Sequence, residues 1–439
     1  MKGETVKSFL QDPIRQDVRS CVSPYVSVKN VTECVEQPHF KKLLDIYLNE
    51  FHKETITSSH WLPAVPVNLR GDLEEVVNYL GMLIAIDFRH WGERGANDKG
   101  GETQTPVGSR VVDFCGFYAT MPLGEKDPHA EKDVGVGGGR LLRGSAAMVY
   151  LLRRAVEEAG VYWHRPEVLL RQELNKNENE KKEENEEKEA LLCYCFRGHA
   201  GDEAETPMWM PATQTRMRIL MDIARELQKR GDSFYDIWCR SQGYLYHPNT
   251  PSRGFLAQLV NLHPRYKDVC VVRRENTNNS ETVVEVPVLK LAQLTALAID
   301  DVMTHMRDFI EYTPEYDFSI PTLGAFHDRD KLTICCDYQI PKALRLLGII
   351  EYNTHLAYLV DEGILLAPGG VEESSIRVAA LVASEILLEC LRRNVRTVEG
   401  EEYRSVKWDS PMVDHLLWWI GRHHADPSIR HHLCSTIMY

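Results

Sequence analysis

The sequence predicts a mainly α-helical fold with a few short strands, and three observations carry that prediction. Apolar residues recur at helical spacing in one segment after another. Helix punctuation accompanies them, with Gly160 closing one segment and Pro341 suited to the first turn of another. Strand-like runs are few and short, Leu332 to Cys336 being the clearest.

In chain order, Phe40 to Leu48 alternates polar and apolar positions as an amphipathic helix. Val76 to Trp91 is apolar on every side until it reaches Asp87, Arg89, His90 and Trp91. Two readings fit it: a core helix whose last turn meets solvent, or a recognition tip. In the second, Asp87 accepts a cationic group and Phe88 or Trp91 offers a stacking face. Residues 92–141 are rich in Gly, Asp, Lys and Thr and read as a long loop insertion. Gly135 to Arg140 inside it has no strand before it and no Gly-Lys-Ser/Thr after it, so it is not read as a phosphate cradle. Leu151 to Ala159 restores a helix. Asn175 to Glu189, within a second insertion at 173–190, has nothing to bury and reads as a solvated tract.

Helical spacing returns in Met217 to Leu227 and Leu256 to Leu262, with a turn at His263 to Tyr266 and a polar hinge at Asn276 to Glu281. Lys290 stands alone among apolar neighbours, where it either snorkels to water or is held for a charged partner. Leu332 to Cys336 then has the length and side chains of a short buried strand. It ends on Asp337, and a helix follows at once through Pro341. A carboxylate at such a junction is partly desolvated, so it caps the helix, orders the turn or is functional. Ile376 to Leu388 is too apolar to be an exposed helix, so Arg377 and Glu385 need partners inside, as ion pairs or ligand contacts. His423, His424, His431 and His432 lack a usual ligand spacing, and no metal is assigned.

The 439 residues are 43% hydrophobic and carry a net charge of -13. That charge argues against a surface for phosphate backbones and suits a small or cationic ligand. Eleven cysteines without a Cys-x-x-Cys pair imply reduced thiols in the cytoplasm or nucleus. Neither a signal-peptide core nor a membrane-length apolar run is present, so a secreted or membrane-spanning protein is not expected. Gly-x-Ser-x-Gly, His-Glu-x-x-His and a strand-to-helix Gly-x-Gly-x-x-Gly are absent as well.

Five islands, in order, resemble the queuosine salvage proteins from about Trp61 to the last residue. Asp337-Tyr338-Gln339-Ile340-Pro341 is similar to that family's Asp-Tyr-Arg-(Leu/Ile)-Pro signature. Asn78 with Asp87-Phe88-Arg89-His90-Trp91 is similar to its Asn followed by Asn-Phe-Ser-Phe-Trp. Lys290-Leu291-Ala292-Gln293 resembles Lys-Arg-Ala-Gln, Ile376-Arg377 with Glu385 resembles the Glu-Ile-Arg helix, and His432 and Tyr439 match a His and a final Tyr. Gln339 stands where the family has Arg, and Asp87 where many members have Asn.

The resemblance implies one helical domain over residues 1–439, related in architecture to helix-hairpin-helix DNA glycosylases. It also implies hydrolysis of queuosine 5'-phosphate to release queuine, without a cofactor. Asp337 is then the catalytic carboxylate, stabilising an oxocarbenium-like state and positioning water. Asp87 takes the amine of the base, and Phe88, Trp91 or Tyr338 stacks on it. Lys290 and Arg377 take the phosphate or orient Asp337, and His90, Glu385 and His432 complete the substrate-binding set. The partner is a small nucleotide, with neither nucleic acid nor membrane. Two alternatives are a non-catalytic protein that binds queuine or its nucleotide, and a DNA-repair glycosylase, which the net charge disfavours.

Overall fold

In a computed structural model, the described residues are 23–49, 61–93, 105–111, 114–121, 140–174, 195–200, 207–275, 281–306, 326–393, 406–424, 426 and 428–439. They form thirteen α-helices and eleven short strands. The elements open with β1 (Val26–Val28), α1 (Val31–Glu36), α2 (Pro38–Tyr47) and α3 (Leu73–Ala85). A mixed stretch follows: β2 (Trp91–Glu93), β3 (Phe114–Met121), β4 (Arg140–Arg143), α4 (Ser145–Glu157), α5 (Pro166–Leu174), β5 (Arg197–Ala200) and β6 (Pro207–Trp209). Next come α6 (Thr213–Arg230), α7 (Phe234–Ser241), α8 (Phe255–Leu262), the hairpin β7 (Val269–Glu275) and β8 (Glu281–Pro287), and α9 (Lys290–Met306). The last part holds α10 (Gln339–Leu346), β9 (Ile350–Tyr352), α11 (Thr354–Asp361), β10 (Leu365–Leu366), α12 (Val371–Arg392), α13 (Ser410–His423) and β11 (Leu433–Cys434).

Where apolar residues repeat at helical spacing, the chain is helical, because each such face has a core to enter. Two cores result. The first is built on α3, α4, α6, α7, α8 and most of α9, the second on α2, α10, α12, α13 and the inner face of the β7–β8 hairpin. The segment before α10 lies between them, sending Leu332 and Cys335 into the first core and Ile334 and Cys336 into the second.

Two expectations need correcting. Leu332–Cys336 is not a strand: it is buried but pairs with no ladder, because side chains satisfy its backbone instead. Gln293 Oε1 accepts the Thr333 N–H at 2.8 Å, Asp414 Oδ1 accepts the Cys335 N–H at 2.8 Å, and the Cys336 carbonyl accepts from Arg377. A buried backbone must be bonded, but nothing obliges the partner to be another strand. Nor is 92–141 a plain loop. Its described part contributes β3, which pairs antiparallel with β2 (Trp91 opposite Gly116), with β4 and with β5, while β6 extends the sheet from β5. Gly135–Gly139 and the charged tract from Asn175 lie outside the described residues.

Short strands also fix the last stretch of chain. The parallel pair of β10 and β11 sets Leu365 opposite Leu433, so residues 435–439 turn back toward the end of α3. There the Tyr439 carbonyl oxygen accepts the Arg89 N–H at 3.0 Å.

Gly421 lets α13 approach the start of α10, since a Cβ there would stand 2.6 Å from the Gln339 carbonyl oxygen. Gly421→Ala is therefore expected to lower unfolding free energy by about 1–3 kcal/mol in urea titrations. Gly71→Ala, with open space around it, should stay within about 0.5 kcal/mol. Equal midpoints for the two variants would contradict the close approach.

Candidate active site

A cavity of about 560 Å³ opens where the two cores meet. One face of α9 forms a wall, with Lys290, Leu294, Leu297, Asp301 and Thr304 at the three- and four-residue spacing of a single helix face. α13 forms the other, with Pro411, Asp414, His415, Trp418 and Arg422. Asp87, Phe88 and His90, just after α3, Cys335, Asp337 to Ile340 and Tyr439 line it as well, beside Tyr47 of α2, Trp61 and the start of α4.

The end of α3 shows how the sequence builds this site. Asp72 caps the other end, accepting the Glu75 N–H at 3.2 Å. At Ala85 the helix stops, and two buried arginines take its last carbonyl and those just beyond it. Arg216 donates to the carbonyls of Ile86, Phe88 and Arg89, and Arg265 to that of Ala85. Guanidinium groups at a helix C-terminus satisfy orphan acceptors and oppose the dipole. Both also sit over the Phe88 ring, at 4.3 and 4.4 Å. Arg89 (φ 36°), two residues after Asp87, and Leu289 (φ 48°), just before Lys290, both take left-handed backbone. Such strain costs about 1–3 kcal/mol per residue and persists only where surroundings impose it.

Lys290 does not snorkel. It is 5% exposed, and its Nζ donates to Asp87 Oδ2 at 2.7 Å and to the Asp87 carbonyl at 3.0 Å. The other carboxylate oxygen, Oδ1, lies 2.9 Å from His90 Nε2. Burial works against ionising Asp87, but Lys290 and His90 outweigh it and hold the carboxyl far below the usual range. Burial lowers the His90 pKa despite Asp87, so the ring is neutral at pH 7. A neutral ring beside a carboxylate must donate, which assigns the proton to Nε2. The Asp87 carboxylate is thus already matched by a cation and a donor.

Asp337 faces the same cavity. Its Oδ1 accepts the N–H groups of Gln339 at 2.7 Å and Ile340 at 3.2 Å, so it does cap α10 while lining the cavity. Burial raises its pKa, opposed by Lys290 and those two N–H groups. Tyr338 also lines the cavity, its ring centroid 4.6 Å from that of His431.

Six of the ten residues expected at the site therefore gather round one cavity: Asp87, Phe88, His90, Lys290, Asp337 and Tyr338. The other four lie elsewhere. Arg377 is behind the wall, bonded to both oxygens of Asp268 at 2.7 and 2.6 Å and to the Cys336 carbonyl, so no face of it reaches a phosphate in the cavity. Burial opposes its charge, but Asp268 prevails and its pKa is raised. Trp91 packs with Leu365 and Leu433, leaving no stacking face in the cavity. Glu385 accepts from Ser410 Oγ at 3.4 Å, and His432 Nε2 lies 3.0 Å from the Tyr439 hydroxyl. Phe88 is 1% exposed, with two guanidinium groups over its ring. The four histidines do not converge, and among the described residues no group of three His, Cys, Asp or Glu could hold a metal.

A family model described as "Queuosine salvage protein" matches residues 162–439, more than half of the sequence. The chain belongs to the queuosine salvage protein family. A queuosine 5'-phosphate N-glycosylase/hydrolase from Bos taurus is 24% identical over 224 residues, 51% of this chain and 56% of that protein. Proteins of the same name from Mus musculus and Sphaerobacter thermophilus are 28% identical over 103 residues and 32% over 117, covering 24% and 27% of this chain and 30% and 33% of theirs. The chain thus spans about half or less of the curated relatives it matches.

The family match includes Lys290, Asp337 and both cavity walls but begins after Asp87 to His90. Three residues that organise the site escaped the sequence reading: Asp268, Arg216 and Arg265. An arginine in an amphipathic helix reads as solvent-facing, and a lone Asp after a turn reads as turn chemistry, so no periodicity singles them out.

Lys290→Met leaves Asp87 buried without its cation. The expected loss is about 3–5 kcal/mol near pH 7. Because the folded Asp87 pKa is depressed, its contribution exists above the unfolded carboxyl pKa and fades as pH falls. The gap between variant and wild type should therefore be full above about pH 4 and shrink as pH falls below it in chemical denaturation. A gap independent of pH would mean that the pair does not set the ionisation of Asp87.

Proposed function

We propose that this protein hydrolyses the N-glycosidic bond of queuosine 5'-phosphate and releases queuine. One observation carries the reading: Asp337, the carboxylate of the family-like Asp-Tyr-Gln-Ile-Pro motif, lines a cavity that also holds Lys290 and Asp87. Membership of the queuosine salvage family supports it, as do relatives named for that hydrolysis.

The chemistry follows from the groups present. Cleavage at C1' develops positive charge on the sugar, which the Asp337 carboxylate stabilises while it takes a proton from water. The two N–H groups on its Oδ1 fix its orientation. Lys290, held by Asp87, favours the ionised form of Asp337 against burial. Tyr338 supplies the stacking face for the base. His90 and Phe88 line the pocket beside Asp87, whose charge is already matched, so Asp87 positions Lys290 rather than capturing the amine of the base. Trp91, Arg377, Glu385 and His432 support the site from behind.

The finer parts of the reading belong with it: one domain over 1–439, an architecture related to helix-hairpin-helix DNA glycosylases, a free nucleotide as ligand, no cofactor, and a cytoplasmic or nuclear setting. The net charge of -13 supports a small ligand over a nucleic acid. Among the described residues no helix is long and apolar enough to cross a membrane.

Asp337→Asn retains an oxygen for the Gln339 and Ile340 N–H groups, so α10 and the thermal midpoint should survive. Queuine release, followed by mass spectrometry, should fall by at least about 10²-fold. Near-wild-type turnover would reduce Asp337 to a helix cap. Tight queuine binding by calorimetry with no release from the wild type would identify a binding protein instead.

A further inference from the structure

Five carboxylates line the cavity: Asp300, paired with Arg329, and Asp301, which accepts the Trp61 N–H at 2.8 Å, lie along α9, and the other three are held differently. Asp87 has a lysine and a histidine. Asp337 has two backbone N–H groups. Asp414 has one, the Cys335 N–H at 2.8 Å, donated from the segment that reaches Asp337 two residues later. The groups that act on Asp414 come from several elements: Asp337 ahead of α10, the Cys335 thiol, Lys290 from α9, and Tyr47 from α2. His415 and Arg422 lie along the same wall on α13. Of the cations, Lys290 is already matched by Asp87.

Two carboxyl groups that repel one another in a partly dry cavity do not both ionise readily. Burial, followed by the charge of Asp337, pushes Asp414 up to about 7, so the pair carries a proton in neutral solution. A departing 7-deazaguanine needs such a proton. It has carbon in place of N7, so protonation cannot occur there, and without an acid the base must leave as an anion.

We propose that Asp414 is the acid that protonates the departing base while Asp337 acts as base towards water; this rests on the hydrolase reading above. The C1'–N9 bond breaks with its electron pair passing to the base, and the Asp414 proton neutralises that pair on the heterocycle. The water oxygen bonds C1', and the proton it loses goes to Asp337. Transfer of that proton from Asp337 to Asp414 restores the pair, with one water consumed.

The test is the pH profile of Asp414→Asn. Asparagine still offers Oδ1 to the Cys335 N–H, so the structural role of the residue is preserved. For the wild type acting on queuosine 5'-phosphate, kcat should fall as pH rises through about 7. In Asp414→Asn, kcat should drop about 10²- to 10⁴-fold with little change in KM, and the alkaline limb should vanish. Asp414→Glu, which keeps an acid in place, should recover part of the rate with the limb displaced. An Asn variant with wild-type kcat, or a slow one that keeps the alkaline limb, overturns the assignment while leaving the hydrolase intact. If the Asn variant does not fold, an unmoved limb in the Glu variant overturns it equally. Wild-type protein that releases no base at any pH overturns the hydrolase reading, and this inference with it.

Discussion

The structure depends on keeping charge buried where its two cores meet. Asp87 is neutralised by Lys290, whose backbone N–H is accepted by Asp268 at 3.1 Å. Asp268 holds Arg377 through both carboxylate oxygens, and Arg377 holds the carbonyl of Cys336, the residue before Asp337. One line of polar contacts therefore runs from the end of α3 to the start of α10 through four buried charges. Breaking it anywhere leaves a charge without a partner in a dry interior, which costs several kcal/mol. That cost gives the cavity a defined shape although its floor is irregular backbone.

The same constraint explains why the lining is not regular structure. A strand at Leu332–Cys336 would spend its N–H and C=O groups on a neighbouring strand. Here Gln293, Asp414 and Arg377 take them, and each of these side chains comes from a different helix. The segment is thereby tied to α9, α13 and α12 at once, and Asp337 emerges at a position that all three determine. Arg216 and Arg265 do the equivalent for the carbonyls after α3. The left-handed backbone of Arg89 and Leu289 is maintained by the bonds around it, to Tyr439 and to Asp268.

Much of the helical framework was legible in the sequence, because apolar periodicity reports directly on which face is buried. Met217 to Leu227, Leu256 to Leu262 and Ile376 to Leu388 fall within helices, while Phe40 to Leu48 and Leu151 to Ala159 run one and two residues past the ends of theirs. The junction at Asp337 was legible too, as an apolar run ending on a carboxylate. What escaped were the partners. An apolar run does not reveal whether its backbone bonds to a strand or to side chains 40 and 79 residues away. The resemblance located Arg377 correctly in its motif, but a motif does not distinguish a residue that touches a ligand from one that holds the residue that does. Lys290 was ambiguous for the same reason: its fate was decided by Asp87, about 200 positions earlier.

A cavity with carboxylates in different ionisation states suits the cleavage of a bond that generates a cationic sugar and an electron-rich base. The most direct measurement is incubation of the purified protein with queuosine 5'-phosphate in ¹⁸O-water, with both products followed by mass spectrometry. Hydrolysis predicts equal amounts of free queuine and ribose 5-phosphate, with the label at C1' of the sugar when the sample is quenched before exchange. Intact nucleotide after prolonged incubation, or free queuine without labelled ribose 5-phosphate, would contradict a water-consuming glycosidic cleavage at this site.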